Sequence, residues 1–189
     1  MNWFTSDLHL GDDRMNLYAR DMFFKNYEDF ETTLFKNWND SVKEDDTVYV
    51  LGDIAFDASS CLKMTQLKGK KILIRGNYDR DDMTAKPNVT QHLSKVFYQI
   101  YDDIDIELNG ILLHLTHFPT DCVNYSFNIT GHIHGLWRVQ RNMINVGIDA
   151  WNYRLIDENR LMFFYNAIKK FYNKNVFAGE LSCNLEINY

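Results

Sequence analysis

Thr47-Val48-Tyr49-Val50-Leu51-Gly52-Asp53 is the stretch on which the fold turns. Its β-branched and apolar residues run on without polar alternation, so they read as a strand buried on both faces, which Gly52 ends and Asp53 follows. The residues before it have helical spacing. Tyr27, Phe30, Leu34 and Trp38 recur at three- and four-residue steps, Asn26 is placed to cap, and acidic residues fill the first turn, which predicts a helix over Tyr27 to Val42. Downstream, Ser59 can cap a short helix through Leu67, Gly69 breaks the chain, and Lys71-Ile72-Leu73-Ile74-Arg75 forms a second buried strand ending at Gly76. With the short aromatic run Asn2 to Thr5, which stops at Ser6-Asp7, the order strand, helix, strand, helix, strand implies an α/β chain with crossovers and a buried sheet.

The middle of the chain changes character. Ile104, Ile106 and Leu108 alternate with Asp103, Asp105 and Glu107, Asn109-Gly110 is a strong hairpin signal, and Ile111 to Leu115 returns, which predicts an antiparallel pair with one wet face. Phe127 to Thr130 and Met143 to Val146 read as short strands, and Asp157 to about Phe171 as a closing helix with Leu161, Phe164, Ile168 and Phe171 inward. Residues 173–189 carry no clear periodicity. Without an internal repeat or a Gly/Ser- or Pro-rich linker, residues 1–189 are expected to form a single domain, with 173–189 as a C-terminal extension.

The composition agrees. Of 189 residues 46% are hydrophobic and 15% aromatic, enough for one core and against disorder as the main state. The net charge of −6 argues against a broad duplex-DNA footprint, which depends on many phosphate contacts from Lys and Arg. No apolar run approaches the ~20 residues of a membrane span and Met1 to Thr5 lacks signal-peptide features, so the expectation is a cytoplasmic protein with no membrane partner. Cys61, Cys122 and Cys183 show neither CxxC spacing nor an even count and are expected as buried reduced thiols.

The chemistry lies at the ends of the apolar runs. Asp7 and His9 come directly after the first, Asp53 after the second, Asn77 after the third, His117 after the Ile111 strand, and His132 and His134 after the Phe127 strand. In sheets of this kind ligands gather beyond the carboxyl ends of the strands, so these residues are brought to one rim. Asp7-Leu8-His9, Gly52-Asp53 or Gly76-Asn77 alone is an ordinary strand-end turn. Gly131-His132-Ile133-His134-Gly135 is more specific, with two imidazoles one residue apart between glycines. Five strand ends each delivering a carboxylate, imidazole or amide is not a product of core packing.

The ordered set Asp7-x-His9, Gly52-Asp53, Gly76-Asn77-x-Asp79, a later histidine and Gly131-His132-x-His134 resembles the calcineurin-like metallophosphoesterase superfamily over about residues 1–157. Trp3 to His9, Leu115-Thr116-His117-Phe118-Pro119 and Asn145-Val146-Gly147-Ile148-Asp149-Ala150-Trp151 are similar to its small single-domain bacterial and phage branch. The residues alone fit a doubly wound sheet. The resemblance implies instead a four-layer αββα sandwich of two mixed β-sheets flanked by helices. It also implies one metal on Asp7, His9, Asp53 and His134 and a second on Asp53, Asn77, His117 and His132, with Asp53 bridging as an ionised carboxylate can. Two divalent ions are expected, manganese first, with iron, zinc or nickel also compatible with a donor set that lacks thiolate. His114 competes with His117 for the fourth motif, but only His117 lies past the strand end. His92 is expected at the surface.

The implied activity is hydrolysis of a phosphomonoester, phosphodiester or pyrophosphate bond in a small, nucleotide-like phosphorylated substrate by water activated between two cations. Asp53, Asn77, Tyr78 and Asp79 lie at the chemical step. The alternatives are a non-catalytic interaction protein that keeps the fold, against which the intact ligand set argues, and a nuclease, for which this acidic chain shows no added binding segment. Two departures stand out. Gly11 is followed by Asp12 where the branch usually has histidine, and Tyr78 stands where the family typically has the histidine that protonates the leaving group, while the Asp79 that usually orients it is present. Trp137, Arg138, Trp151, Tyr153 and Arg154 follow the last motifs and could hold a base and a phosphate, or could simply pack loops.

Overall fold

The computed structural model describes residues 1–15, 20–80 and 89–171, so residues 173–189, Cys183 among them, lie outside the described residues. Two mixed five-stranded sheets are flanked by helices. The first sheet has the order β10 (Ile156–Asp157), β1 (Asn2–Thr5), β2 (Thr47–Val50), β3 (Lys70–Ile74), β4 (Gln99–Tyr101), in which β1 to β4 are parallel and β10 is antiparallel to β1. The second has the order β5 (Asp103–Leu108), β6 (Ile111–Thr116), β7 (Phe127–Thr130), β9 (Met143–Asn145), β8 (Val139–Gln140). There β5 and β6 form the antiparallel hairpin turned by Asn109-Gly110, whereas β6, β7 and β9 are parallel. The single doubly wound sheet that the residues alone suggest is therefore replaced by two sheets.

Side-chain alternation divides the core in two. Val48, Val50 and Leu73 face a cluster built with Phe30, Leu34 and Trp38 of helix α2 (Tyr27–Ser41) and with Cys61 of helix α3 (Ala58–Lys63); the short helix α1 (Asp13–Met15) buries nothing. Phe4, Leu51, Ile72 and Ile74 face the other way, onto Leu113, Leu115, Ile129 and Ile144 of the second sheet. Tyr49 is half-buried and stacks on Phe4 at 5.4 Å, so β2 is not closed on both faces along its whole length. Helix α4 (Leu93–Val96) precedes β4, and the closing helix α5 (Glu158–Phe171) sends Leu161 and Ile168 into the inter-sheet cluster.

Several sequence expectations shift locally. Asn26 caps α2 as predicted, accepting from the Asp29 N–H at 2.9 Å. Helix α3 is capped by Asp57 rather than Ser59, because the carboxylate is the stronger acceptor: it takes the Ser60 N–H at 2.9 Å, while the Ser59 hydroxyl donates to it. Phe171 points to solvent, 70% exposed, since the last turn of α5 runs beyond the reach of the sheets, and Phe164 is half-buried against Trp151. Strands β4, β8 and β10 are too short to show a periodicity. Cys61 is a buried free thiol, Cys122 is only half-buried, and His92 is half-buried in a short 3-10 turn rather than at the surface. No helix among the described residues is long and apolar enough to cross a membrane.

Candidate metal centre

Because β1, β2 and β3 run parallel, and β6 and β7 likewise, their carboxyl ends meet along one edge of the sandwich. The two sheets are pinned there by Ser6, which bridges to Gly147 and donates its hydroxyl to the Leu51 carbonyl at 2.5 Å. The loops then interlock. Asp7 N–H donates to Gly52 O at 3.0 Å, His9 N–H to Asp53 O at 2.9 Å, and Gly131 N–H to His117 O at 3.0 Å. Gly52 and Gly76 are required at their crossing point: a Cβ on Gly52 would run into the Gly76 backbone and lie 2.6 Å from His117 Nδ1, and one on Gly76 would strike the Asp53 carboxylate. Five predicted ligands, Asp7, His9, Asp53, His132 and His134, have left-handed backbone with φ of 60°, 47°, 54°, 71° and 50°. Non-glycine residues adopt that region at a cost, and such strain concentrates where side chains must be aimed at a site.

Two triads result. Asp7, His9 and His134 form one, Asp53, His117 and His132 the other, each with its donor atoms within 4.8 Å of one another. Asp53 joins them: its Oδ2 lies 3.6 Å from His9 Nε2 and 3.5 Å from His117 Nε2. Asn77 Oδ1 approaches His117 Nε2 to 3.3 Å, so the seventh predicted residue is at the same place. His114 is not. It is buried within β6, its Nδ1 2.7 Å from Asp105 Oδ1 on the neighbouring strand.

Hydrogen bonding and burial suit these groups to cations. His9 is buried with both ring nitrogens unpartnered among the described residues, and burial pushes its pKa down to about 4, which leaves a neutral imidazole with a free lone pair. An orphaned buried imidazole is costly unless something occupies the space beside it. His117 Nδ1 pairs with the Leu51 carbonyl at 2.6 Å and His134 Nδ1 with Asp149 Oδ2 at 2.7 Å, so each carries its proton there and turns Nε2 toward the triads. Burial drives Asp7 up to about 6. Burial also opposes the charge on His117, but the hydrogen bond and charge of Asp53 outweigh it and hold the imidazole near 9. Two buried carboxylates with imidazoles aimed at them are the environment that a divalent cation neutralises. The donor set fits two such ions.

Other predicted residues sit elsewhere. Asp79 lies beneath the rim and does not orient the side chain at position 78: its carboxylate accepts the N–H of Asp53 and of Gly76 at 2.8 Å each, and that of Ile54 at 3.2 Å. Tyr78 is at the rim, edge-on to His9 at 4.8 Å, with its N–H donated to Asp53 Oδ1 at 2.9 Å. Trp151 and Tyr153 are core residues, 4% and 7% exposed, and so pack loops rather than line the rim, while Arg138 is exposed and donates to the Ala150 carbonyl. Trp137 is half-buried, its carbonyl held by Asn145 at 2.7 Å, and Arg154 is exposed.

Sequence reading missed the support beneath the histidines. Arg20, 1% exposed, donates to Asp149 through Nε at 2.8 Å and Nη2 at 3.2 Å, and to the carbonyls of Leu8 and Asp7 at 3.0 and 2.8 Å. Burial would raise Asp149, but His134 and Arg20 overcome it and hold the carboxyl down at about 2. Asp149 stood inside a recognisable motif without a role; Arg20, a lone arginine, offered no signal.

The geometry separates the two candidates for the fourth motif. His117→Ala is expected to lower metal occupancy and any hydrolytic rate by about tenfold or more, and His114→Ala to affect only stability. Metal analysis of the two purified variants checks this, and equal losses would count against the rim assignment.

No family model matches the chain. It is 30% identical, over an alignment 201 positions long with its gaps, to the gene 66 protein of Mycobacterium phage L5, covering 88% of this chain and 94% of that one. An uncharacterized protein, MJ1445 of Methanocaldococcus jannaschii, is 29% identical, covering 80% and 84%. Among solved structures, the protein of unknown function AQ665 from Aquifex aeolicus shares the fold at a TM-score of 0.65 and 23% identity, covering 87% of this chain and 98% of that one. The chain belongs to one family with the phage L5 gene 66 protein, and the ordered motifs that it assembles on this rim are those by which it resembles the calcineurin-like metallophosphoesterase superfamily.

Proposed function

We propose that the protein is a metal-dependent phosphoesterase in which Asp7, His9, Asp53 and His134 hold one divalent cation and Asp53, Asn77, His117 and His132 a second. The observation that carries this reading is the placement of one Asp53 oxygen within 3.6 Å of both His9 Nε2 and His117 Nε2. Cations bound there, manganese first and otherwise iron, zinc or nickel, supply Lewis acidity toward a phosphoryl oxygen and toward water. The chain does the rest. Asp149 and the Leu51 carbonyl fix two imidazoles in the tautomer that presents Nε2, and Asp79 ties the Asp53 and Gly76 turns together so that the carboxylate does not wander. Asn77 presents a neutral amide oxygen, which adds a donor without adding charge.

The substrate is a small phosphorylated compound whose leaving group departs as a stabilised anion. Phenols as a class are far weaker acids than imidazolium, so a tyrosine in place of a histidine offers an alkoxide leaving group little help. The test is a panel with Mn²⁺-loaded protein: p-nitrophenyl phosphate, bis(p-nitrophenyl) phosphate, ADP-ribose and glycerol 2-phosphate, on wild type and Tyr78→His. Turnover of aryl or anhydride substrates is expected, with slow turnover of the alkyl ester that Tyr78→His raises by about a hundredfold. Failure of protein loaded with two cations to turn over any of the four would overturn the reading in favour of a non-catalytic interaction protein.

A further inference from the structure

The two positions at which the sequence departs from the family pattern, Asp12 and Tyr78, are brought together by a third residue. Asp12 is buried, and Arg14 lies over it as a two-pronged fork, Nε donating to Oδ1 at 2.8 Å and Nη2 to Oδ2 at 2.7 Å. The Arg14 N–H also reaches Oδ1, at 3.2 Å, and the guanidinium stacks over the Phe56 ring with 4.6 Å between guanidinium carbon and ring centroid. The loop beneath is locked: Gly11 has φ +81°, a Cβ there would run into the Ser60 hydroxyl and the Asp57 carboxylate, and its N–H donates to the Tyr27 hydroxyl at 2.5 Å. Despite this anchoring the Arg14 side chain is 56% exposed, and it faces the phenol of Tyr78, whose ring stands edge-on to His9. An arginine held by a carboxylate fork and a ring, with the Tyr78 phenol also hydrogen-bonding to it, still has further guanidinium N–H groups and more than half its side chain open to solvent beside the rim, so it can meet an incoming anion at little further entropic cost.

We propose that Arg14, positioned by Asp12 and Phe56, is a phosphate-binding residue that with Tyr78 forms the leaving-group subsite for a phosphoric anhydride. This rests on the phosphoesterase reading above and names its substrate class. A guanidinium does not release a proton near neutral pH, so it cannot protonate an alkoxide; it is best matched to a leaving group that departs already anionic and offers two oxygens to a planar fork, which a phosphate does. In the reaction, the oxygen of water forms a bond to the attacked phosphorus. The bond from that phosphorus to the bridging oxygen breaks, with its electron pair staying on the bridging oxygen, which becomes an oxygen of the departing phosphate on Arg14. One proton of the water remains on product phosphate and the other goes to solvent.

The test compares ADP-ribose with bis(p-nitrophenyl) phosphate, both with stabilised leaving groups, of which only the first leaves as a phosphate. For Mn²⁺-loaded Arg14→Gln and Arg14→Lys, the ratio of kcat/KM on ADP-ribose to that on the aryl diester is expected to fall about tenfold or more relative to wild type. Arg14→Lys keeps a cation over Asp12 and so guards against simple misfolding. Titration calorimetry reads the subsite without turnover: wild type should bind methylenebisphosphonate at least about tenfold more tightly than methylphosphonate, and both variants should lose most of that preference. An unchanged ratio together with an unchanged preference would overturn the subsite while leaving the phosphoesterase reading intact. Absence of turnover in wild type with the bisphosphonate preference present would overturn that reading and leave the anion site standing.

Discussion

Asp53→Asn is expected to reduce bound divalent metal further than any other single ligand change and to lower hydrolytic activity by about a thousandfold or more. The reason is geometric. Asp53 Oδ2 stands 3.6 Å from His9 Nε2 and 3.5 Å from His117 Nε2, so the substitution removes a charged donor from both triads, whereas loss of His9 or His132 weakens one. A bridging group must carry charge enough for two cations, and a neutral amide does not. About 4 kcal/mol of electrostatic stabilisation lost at the reacting centre corresponds to about three decades in rate. The change should spare the fold, because Asp53 Oδ1 accepts the Tyr78 N–H at 2.9 Å and an asparagine oxygen can do the same. A second measurement does not need metal: Asp53 holds the metal-free His117 imidazolium near pH 9, so the variant should show His117 titrating lower by NMR. Two ions bound with undiminished affinity would show that Asp53 does not bridge, and an unmoved His117 would show that its charge is not held by Asp53.

How much of this was legible in the sequence depends on the kind of interaction involved. The rim was readable because strand direction is encoded locally: runs such as Thr47 to Leu51 stop at glycines, and parallel pairing then carries Asp7, Asp53 and Asn77 to one edge whatever the details of packing. The choice between one sheet and two was not readable from periodicity, since Leu113 and Leu115 look the same whether they face a helix or another sheet; the family resemblance supplied it. Local hydrogen-bond competition moved the α3 cap from Ser59 to Asp57, a difference between neighbouring acceptors that pattern does not resolve. The stacking role open to Trp151 and Tyr153 failed because both rings are consumed by the core, Tyr153 against Phe24 at 4.5 Å. Least legible of all was the polar support under the site. Arg20 and Asp149 are 129 residues apart, and nothing in either neighbourhood announces that they meet.

That buried pair carries the other large effect. Arg20→Met should destabilise the metal-free protein by about 3–5 kcal/mol, the range for breaking a buried ion pair from one side. The substitution leaves Asp149, 6% exposed, with His134 as its remaining ion-pair partner among the described residues, and strips the donors from the carbonyls of Asp7 and Leu8. Those carbonyls belong to the turn in which Asp7 and His9 hold left-handed backbone, so the turn loses the contact that offsets its strain. Arg20→Lys should rescue little, because an ammonium cannot span Asp149 and two carbonyls as a planar fork does. The pH dependence has a definite sign. Asp149 is depressed to about 2 in the folded protein, so its contribution is full above the ordinary carboxylate value of ~3.9 and is lost as pH falls toward 2. The gap in stability between wild type and Arg20→Met should therefore narrow between about pH 4 and pH 2, as denaturant unfolding across that range would show. Cation affinity should fall by about ten- to a hundredfold in the same variant, since Asp149 no longer fixes His134 with its Nε2 toward Asp7 and His9. A stability change below about 1 kcal/mol with unaltered cation affinity would mean that the Asp149–His134 pair orients itself without Arg20.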